Sequence, residues 1–289
     1  MNDFIIVTDS SADLSEEYLK EHNVLKVNLN LLLDGQPYSV NNENDLKVFY
    51  EKMRNGMMPT TSQVNPEQAK QVLIKASEIS KNILFVAFSS GLSGTYQSIK
   101  IAVEDLTDSD SELNVCVIDS LSASLGQGLL IHKAVLKKEN GASFEETCAY
   151  LEDLKTHICH LFTVDDLGFL QRGGRISKGT AILGSMINIK PLLIVDNEGH
   201  LINVDKVRGR KKSIASLADM MEAKMGNRKD NNDIVFISHG DCIEDAHILG
   251  EEIKKRFGIK EVLYNYVGPV IGSHSGPGTI ALFFEGENR

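Results

Sequence analysis

The chain has 289 residues, 42% hydrophobic and 24% charged, with a formal net charge of −10 at pH 7. Those totals suit a water-soluble globular protein with length for one large or two ordinary cores. The negative balance argues against a general binder of nucleic acid or of anionic membranes, so any anion site must be local. Phe4 to Val7 reads as a short buried strand ending in the polar loop Thr8-Asp9-Ser10-Ser11. A helix from Ser15 to His22, a strand from Val24 to Leu33 and an Asp34-Gly35 turn follow. Asp45 to Asn55 carries helical spacing, and Pro59-Thr60-Thr61-Ser62-Gln63 reads as a loop. Asn65-Pro66-Glu67-Gln68 then opens a helix to about Ser80, with Asn as cap, Pro at the first position and Gln at the third.

Ile83 to Phe88 is a continuous apolar run, as in a parallel strand covered on both faces. It leads through Ser89-Ser90-Gly91-Leu92-Ser93-Gly94 into a helix from Thr95 to about Leu106. Val115 to Ile118 repeats the pattern, with a helix through Lys138, and Ser143-Phe-Glu-Glu146 is a capping box. Alternating strand and helix predict a doubly wound, mainly parallel α/β sheet. After about Thr156 the pattern changes. Asp196-Asn197-Glu198-Gly199 between two β-runs is a hairpin signature. A helix over 211–225, a polar loop over 226–232 and a strand over 234–238 come next. A helix from Cys242 to Phe257, a strand over 262–266 and a last strand over 280–284 complete a mixed, partly antiparallel α/β region. The expected division is residues 1–157 and 158–289, with a ligand between the two.

The stretch from Asp166 to Val195 combines a cationic turn with an apolar segment. Arg172 and Arg175 flank the Gly173-Gly174 turn. Ser177 offers a cap to the acid-free segment from Lys178 to Ile189, predicted as a helix that Pro191 halts. A helix apolar on every side belongs in a core or lines something apolar. Such a pairing suits a ligand with an anionic head and an apolar tail, although pattern alone favours a core helix beside two solvated arginines.

Ser89 to Thr95 leaves a parallel strand at its C-terminal end, where open α/β sheets bind ligands. It lacks the lysine of a phosphate-binding Walker loop, and Thr95 stands where a nucleophile elbow needs its last glycine. The hydroxyls of Thr60, Thr61 and Ser62 can hold a carboxylate or phosphoryl oxygen, or fill a loop. His274 sits in a predicted glycine-rich loop that permits close approach to a ligand. His239, after a strand, reads as structural. Lys206, Arg208, Arg210, Lys211 and Lys212 crowd a helix start, where cations oppose the dipole and call for an acidic partner. The four cysteines are dispersed, and His157-Ile-Cys159-His160 lies in a strand-like run whose side chains diverge, so no metal site is expected. The opening residues read as a strand and not as a signal peptide, and no apolar run reaches membrane-spanning length, so a reduced, cytoplasmic protein is expected.

Several of these motifs together resemble the DegV family. They are Val-Thr-Asp-Ser-Ser-Ala-Asp13, Pro59-Thr-Thr-Ser-Gln63, Phe-Ser-Ser-Gly-Leu-Ser-Gly-Thr-Tyr96, Val-Ile-Asp119-Ser120, Leu170-Gln-Arg-Gly-Gly-Arg-Ile-Ser177, Lys190-Pro191 and Gly272-Ser-His-Ser-Gly-Pro-Gly278. They run in order over essentially the whole chain. The resemblance implies a two-domain fold with a long-chain fatty acid in a buried tunnel at the interface. It implies no catalysis and no cofactor in this chain. The protein would be the carrier subunit of a bacterial two-component fatty acid kinase, whose separate kinase subunit makes acyl-phosphate for phospholipid synthesis. By the same resemblance Thr61 and Ser93 hold the carboxylate, Ser62 and Gly94 lie beside them, and His274 sits near the head group. Arg172, Arg175, Arg208 and Arg210 would meet phosphate or the kinase, and the helix after Ser177 would wall the tunnel. The alternative is a stand-alone serine hydrolase or acyltransferase using Ser93 and His274. A DNA-binding role for residues 206–212 fits poorly with the net charge.

Overall fold

The structure is a computed structural model, and it describes residues 4–177 and 188–289. Four parallel strands, β1 (Ile5–Asp9), β2 (Val24–Val27), β6 (Asn82–Ala87) and β7 (Asn114–Asp119), form one sheet in the order β2-β1-β6-β7. Side chains along β6 alternate between two cores, as period-two geometry requires. Ile83 and Phe85 face α3 (Pro66–Ser77) and α4 (Thr95–Ser109). Leu84 and Val86 face α5 (Leu125–Glu139) and α6 (Phe144–Leu154). The caps read from the sequence form: Asn65 with Gln68, and Ser143 with Glu146, make reciprocal capping boxes, and Ser15 caps α1 (Glu16–Glu21).

A six-stranded sheet has the order β10-β9-β8-β13-β11-β12. Its strands are β8 (Ile158–Thr163), β9 (Ile189–Val195), β10 (Leu201–Arg208), β11 (Ile234–His239), β12 (Glu261–Tyr266) and β13 (Ile280–Glu285). Within this sheet, among the described residues, only β11 and β12 pair in parallel. One face packs on α8 (Arg210–Met225) and α9 (Ile243–Phe257). The other meets α5, whose Leu129, Leu130 and Ile131 share a core with Phe162, Phe236 and Phe283. The central helix α5 is thus buried between the two sheets, with Gln127 as its polar hub: it bonds Ser11, Thr8, Asp9 and the Val86 carbonyl.

A small third sheet, β3 (Asn30–Leu33), β4 (Gln36–Pro37) and β5 (Thr60–Ser62), is backed by α2 (Glu43–Arg54). Leu31, Phe49, Tyr50 and Met53 give it a core of its own. The Tyr50 hydroxyl donates to the Val267 carbonyl at 2.6 Å, and Arg54 pairs with Asp241.

Four sequence expectations change. The single strand over 24–33 breaks after Val27 and its halves join different sheets. Pro59 to Gln63 is not a plain loop, because Thr60 to Ser62 pair with β3. The segment before Gly276 is a helix, α10 (Pro269–Ser275): Pro269 opens it at a position where the missing N–H costs nothing, and Gly276 with φ 81° ends it. His274 therefore stands on a helix and not in a loop. Ile189 begins a strand, and Pro191 lies within it, opposite Lys206. Among the described residues β9 pairs with β8 at Leu193 and Ile194, so Pro191 lies beyond that pairing, where its missing N–H breaks no ladder bond to β8. The predicted helix after Ser177 lies, over residues 178–187, outside the described residues.

Candidate ligand-binding site

A cavity of about 310 Å³ lies between the C-terminal ends of the parallel strands and the inner face of the six-stranded sheet. Loops leaving β2, β6 and β7 supply Leu29, Leu92, Ser93 and Ser124. The facing sheet supplies Phe162, Ala281 and Phe283, among others. Its volume is at the lower end of the range for small-molecule pockets, and its wall is mostly apolar. No Asp or Glu lines it among the described residues, so nothing there repels an anion.

Polar groups gather at one end. Thr61 on β5 places its hydroxyl 2.7 Å from His274 Nε2 on α10. Ser93 Oγ lies 2.9 Å from Thr95 Oγ1 and accepts from the Thr95 amide at 3.2 Å. Arg175 reaches back from the Gly173-Gly174 turn, with Nε donating to the Leu92 carbonyl and another nitrogen to Gly173. Burial, and then the Arg175 charge, push the His274 pKa down to about 4, so the imidazole is neutral near pH 7. Burial also lowers the Arg175 pKa, but a guanidinium stays charged. Two glycines make the closeness possible. A Cβ on Gly173 would collide with His274 Nδ1, and one on Gly94 would collide with the Gln63 amide.

Thr61, Ser62, Ser93, Gly94, Arg175 and His274 thus share one cavity wall. Ser62 also accepts from Asn30 at 3.0 Å. The other three candidate cations do not line the cavity. Arg172 is exposed at the end of α7 (Gly168–Arg172), 4.6 Å over the Phe169 ring. Arg208 is exposed at the end of β10. Arg210 is held by Asp245 at 2.8 Å and Asp165 at 3.6 Å, which are the acids that offset a cation at this helix start. The Ser93–His274 pair that a hydrolase would need does not form. His274 Nε2 bonds Thr61, and its other ring nitrogen faces Gly173 and no carboxylate.

Sequence reading missed Ser124, Ser238 and His160 as wall residues. A lone histidine in an otherwise apolar face of β8 was the available signal. No group of three or more His, Cys, Asp or Glu is placed to hold a metal ion among the described residues, and no described helix is long and apolar enough to cross a membrane.

The family model for the DegV family matches residues 3–287. A DegV domain-containing protein of Clostridium perfringens is 42% identical over 291 residues, covering 100% of this chain and 99% of the relative. Among solved structures, a fatty-acid-binding DegV family protein from Thermus thermophilus aligns with a TM-score of 0.85 at 30% identity, covering 98% of this chain and 99% of that one. A stearic-acid-binding protein from Eubacterium ventriosum aligns with a TM-score of 0.88 at 27% identity, covering 97% of each chain.

Proposed function

Because this chain belongs to the DegV family, we propose that it binds a long-chain fatty acid in the cavity between its sheets and presents the carboxylate to a separate ATP-dependent kinase. The observation that carries this reading is an acid-free apolar cavity closed at one end by two hydroxyls, a neutral imidazole and one guanidinium. Burying an acyl chain contributes about 0.8 kcal/mol per methylene, so ten methylenes contribute about 8 kcal/mol gross. Thr61 and Ser93 donate to the carboxylate, and His274 can donate once Thr61 turns from it. Held mainly by neutral donors, a carboxylate oxygen keeps a lone pair for attack on the terminal phosphoryl group of ATP. That P–O bond forms as the bond to the departing ADP breaks, and the product is an acyl-phosphate. ATP and its metal belong to the partner, so this chain is a carrier and not a catalyst. Phospholipid synthesis would consume the product, in the cytoplasm. Residues 1–157 and 158–289 would act as two domains that close on the chain.

The first test is mass spectrometry of lipid extracted from the denatured protein. A near-stoichiometric fatty acid supports the reading, and its absence, with no uptake of added fatty acid, overturns it. The Thr61→Val/Ser93→Ala double variant should fold and retain about tenfold less fatty acid. Unchanged retention would remove these two hydroxyls from the site.

A further inference from the structure

Beyond Thr61, Ser93, Arg175 and His274 the cavity wall carries further polar residues, among them Ser124, Ser238 and His160, with Ser275 beside His274 and Thr279 donating to the Gly276 carbonyl. Ser238 on β11 pairs with Ala281 on β13, which pairs with Phe162 on β8, so a serine ends an apolar row facing the cavity. Ser124, at the start of α5, brings its Oγ within 3.0 Å of Ser238 Oγ. His160 occupies the next row, opposite and edge-on to Phe283, with ring centroids 5.1 Å apart. None of the three touches the head group in the reading above.

Their hydrogen-bond directions can be assigned. Ser124 Oγ lies 2.6 Å from Oδ2 of Asp13, a carboxyl group only 7% exposed. Ser124 has one proton, and an ionised Asp13 takes it. The contact between the two serines is then made by the Ser238 proton, so neither proton is free for a ligand. His160 Nδ1 lies 3.1 Å from the Ile158 carbonyl and 3.4 Å from an Arg289 nitrogen, so it is engaged within the protein. Its Nε2 takes the Ala123 amide at 3.4 Å, so the ring has no lone pair left for a ligand. The two serine oxygens therefore offer lone pairs, and not their protons, to whatever fills this part of the cavity. Three non-glycine residues at positive φ hold this arrangement: Asp13 (52°), Leu121 (50°) and Ser124 (54°). Such backbone persists only where its surroundings fix it.

We propose that the cavity is built for a long-chain fatty acid bearing a hydroxyl on its chain, whose O–H donates to the Ser124–Ser238 oxygens. This rests on the fatty-acid reading and narrows it. A methylene leaves those lone pairs unpaired. A keto oxygen at the same carbon, itself an acceptor, faces acceptors and gains nothing. Asp13 must be ionised for the directions to hold. Burial raises its pKa to about 7, the Ser124 bond opposes that rise, and Asp9 and Lys26 are the charged groups acting on it.

The test uses the full chain stripped of lipid, at about pH 8.5, where Asp13 is ionised. Stearate, a positional series of monohydroxystearates and the matching ketostearates compete against a fluorescent fatty acid. At least one hydroxy isomer should bind about tenfold more tightly than stearate, with its keto counterpart no better than stearate. In Ser238→Ala the ratio of hydroxy isomer to stearate should fall to about one, and Ser124→Ala gives a second reading should the first variant not fold. Stearate binding with no favoured hydroxy isomer overturns the proposal and leaves the fatty-acid reading standing. A preference that survives both substitutions overturns the assigned residues. Failure of every acid to bind overturns the fatty-acid reading itself.

Discussion

His274 shows how a single residue ties the site to pH. The unfolded chain protonates this histidine below about pH 6.5, whereas the folded protein resists until about pH 4. The unfolded state therefore binds more protons between those values, and stability falls as pH drops through that window. His132 and His239, also pushed to about 4 by burial, act in the same direction, while Asp13, raised to about 7, acts in the opposite one. Comparing variants isolates the one residue. His274→Gln should lose less stability than the parent between pH 6.5 and pH 4, by about 2 kcal/mol after allowance for partial exposure. Denaturant midpoints across that range measure it, and parallel curves for the two proteins would show that His274 is not held neutral.

At the scale of elements, the polar end of the cavity is assembled by pieces that are separately weak. Strand β5 has three residues and sits in a three-stranded sheet with a four-residue core. That layer is fastened to the rest by the fully buried Tyr50, whose hydroxyl bonds the Val267 carbonyl just before α10. Gly272 on α10 lacks the Cβ that would strike the Tyr50 hydroxyl. Tyr50 thus keeps the strand bearing Thr61 in register with the helix bearing His274. Tyr50→Phe leaves a buried carbonyl unpaired and should lower stability by about 1–2 kcal/mol. It should also speed fatty acid release, read by displacement of a fluorescent acid. A stability loss with unchanged release would mean that the layer does not govern access. Much of this level was legible, because a capping box such as Asn65 with Gln68 is written within four residues. Strand β5 and helix α10 were not legible, because Thr60 to Ser62 become a strand only against β3, and four glycines disguised a helix that Pro269 starts.

Across the whole molecule, Arg172, Arg208 and Arg210 stay off the cavity wall. Arg208 is exposed and does not line the wall, while Arg210 is committed to Asp165 and Asp245. Under the carrier reading Arg208 meets the kinase. Arg208→Glu should retain fatty acid as the parent does, yet lose most of its phosphorylation, by about tenfold or more, in an assay with the kinase partner. Loss of bound lipid in that variant would argue that Arg208 supports the cavity instead.

By itself the sequence determined the alternation of strands and helices, the switch near residue 157 from parallel to mixed pairing, the caps, and the hydroxyl-rich and glycine-rich motifs that resemble a known family. Each of these rests on propensity, period or capping, which act over a few residues. Only the tertiary structure decided that Arg175, and not Arg172, turns into the cavity, and that Ser124, Ser238 and His160 share its wall. Thr61 meets His274 across 213 positions of sequence, and Ser124 meets Ser238 across 114. Contacts that distant leave no local pattern, because packing of two sheets against α5 brings them together.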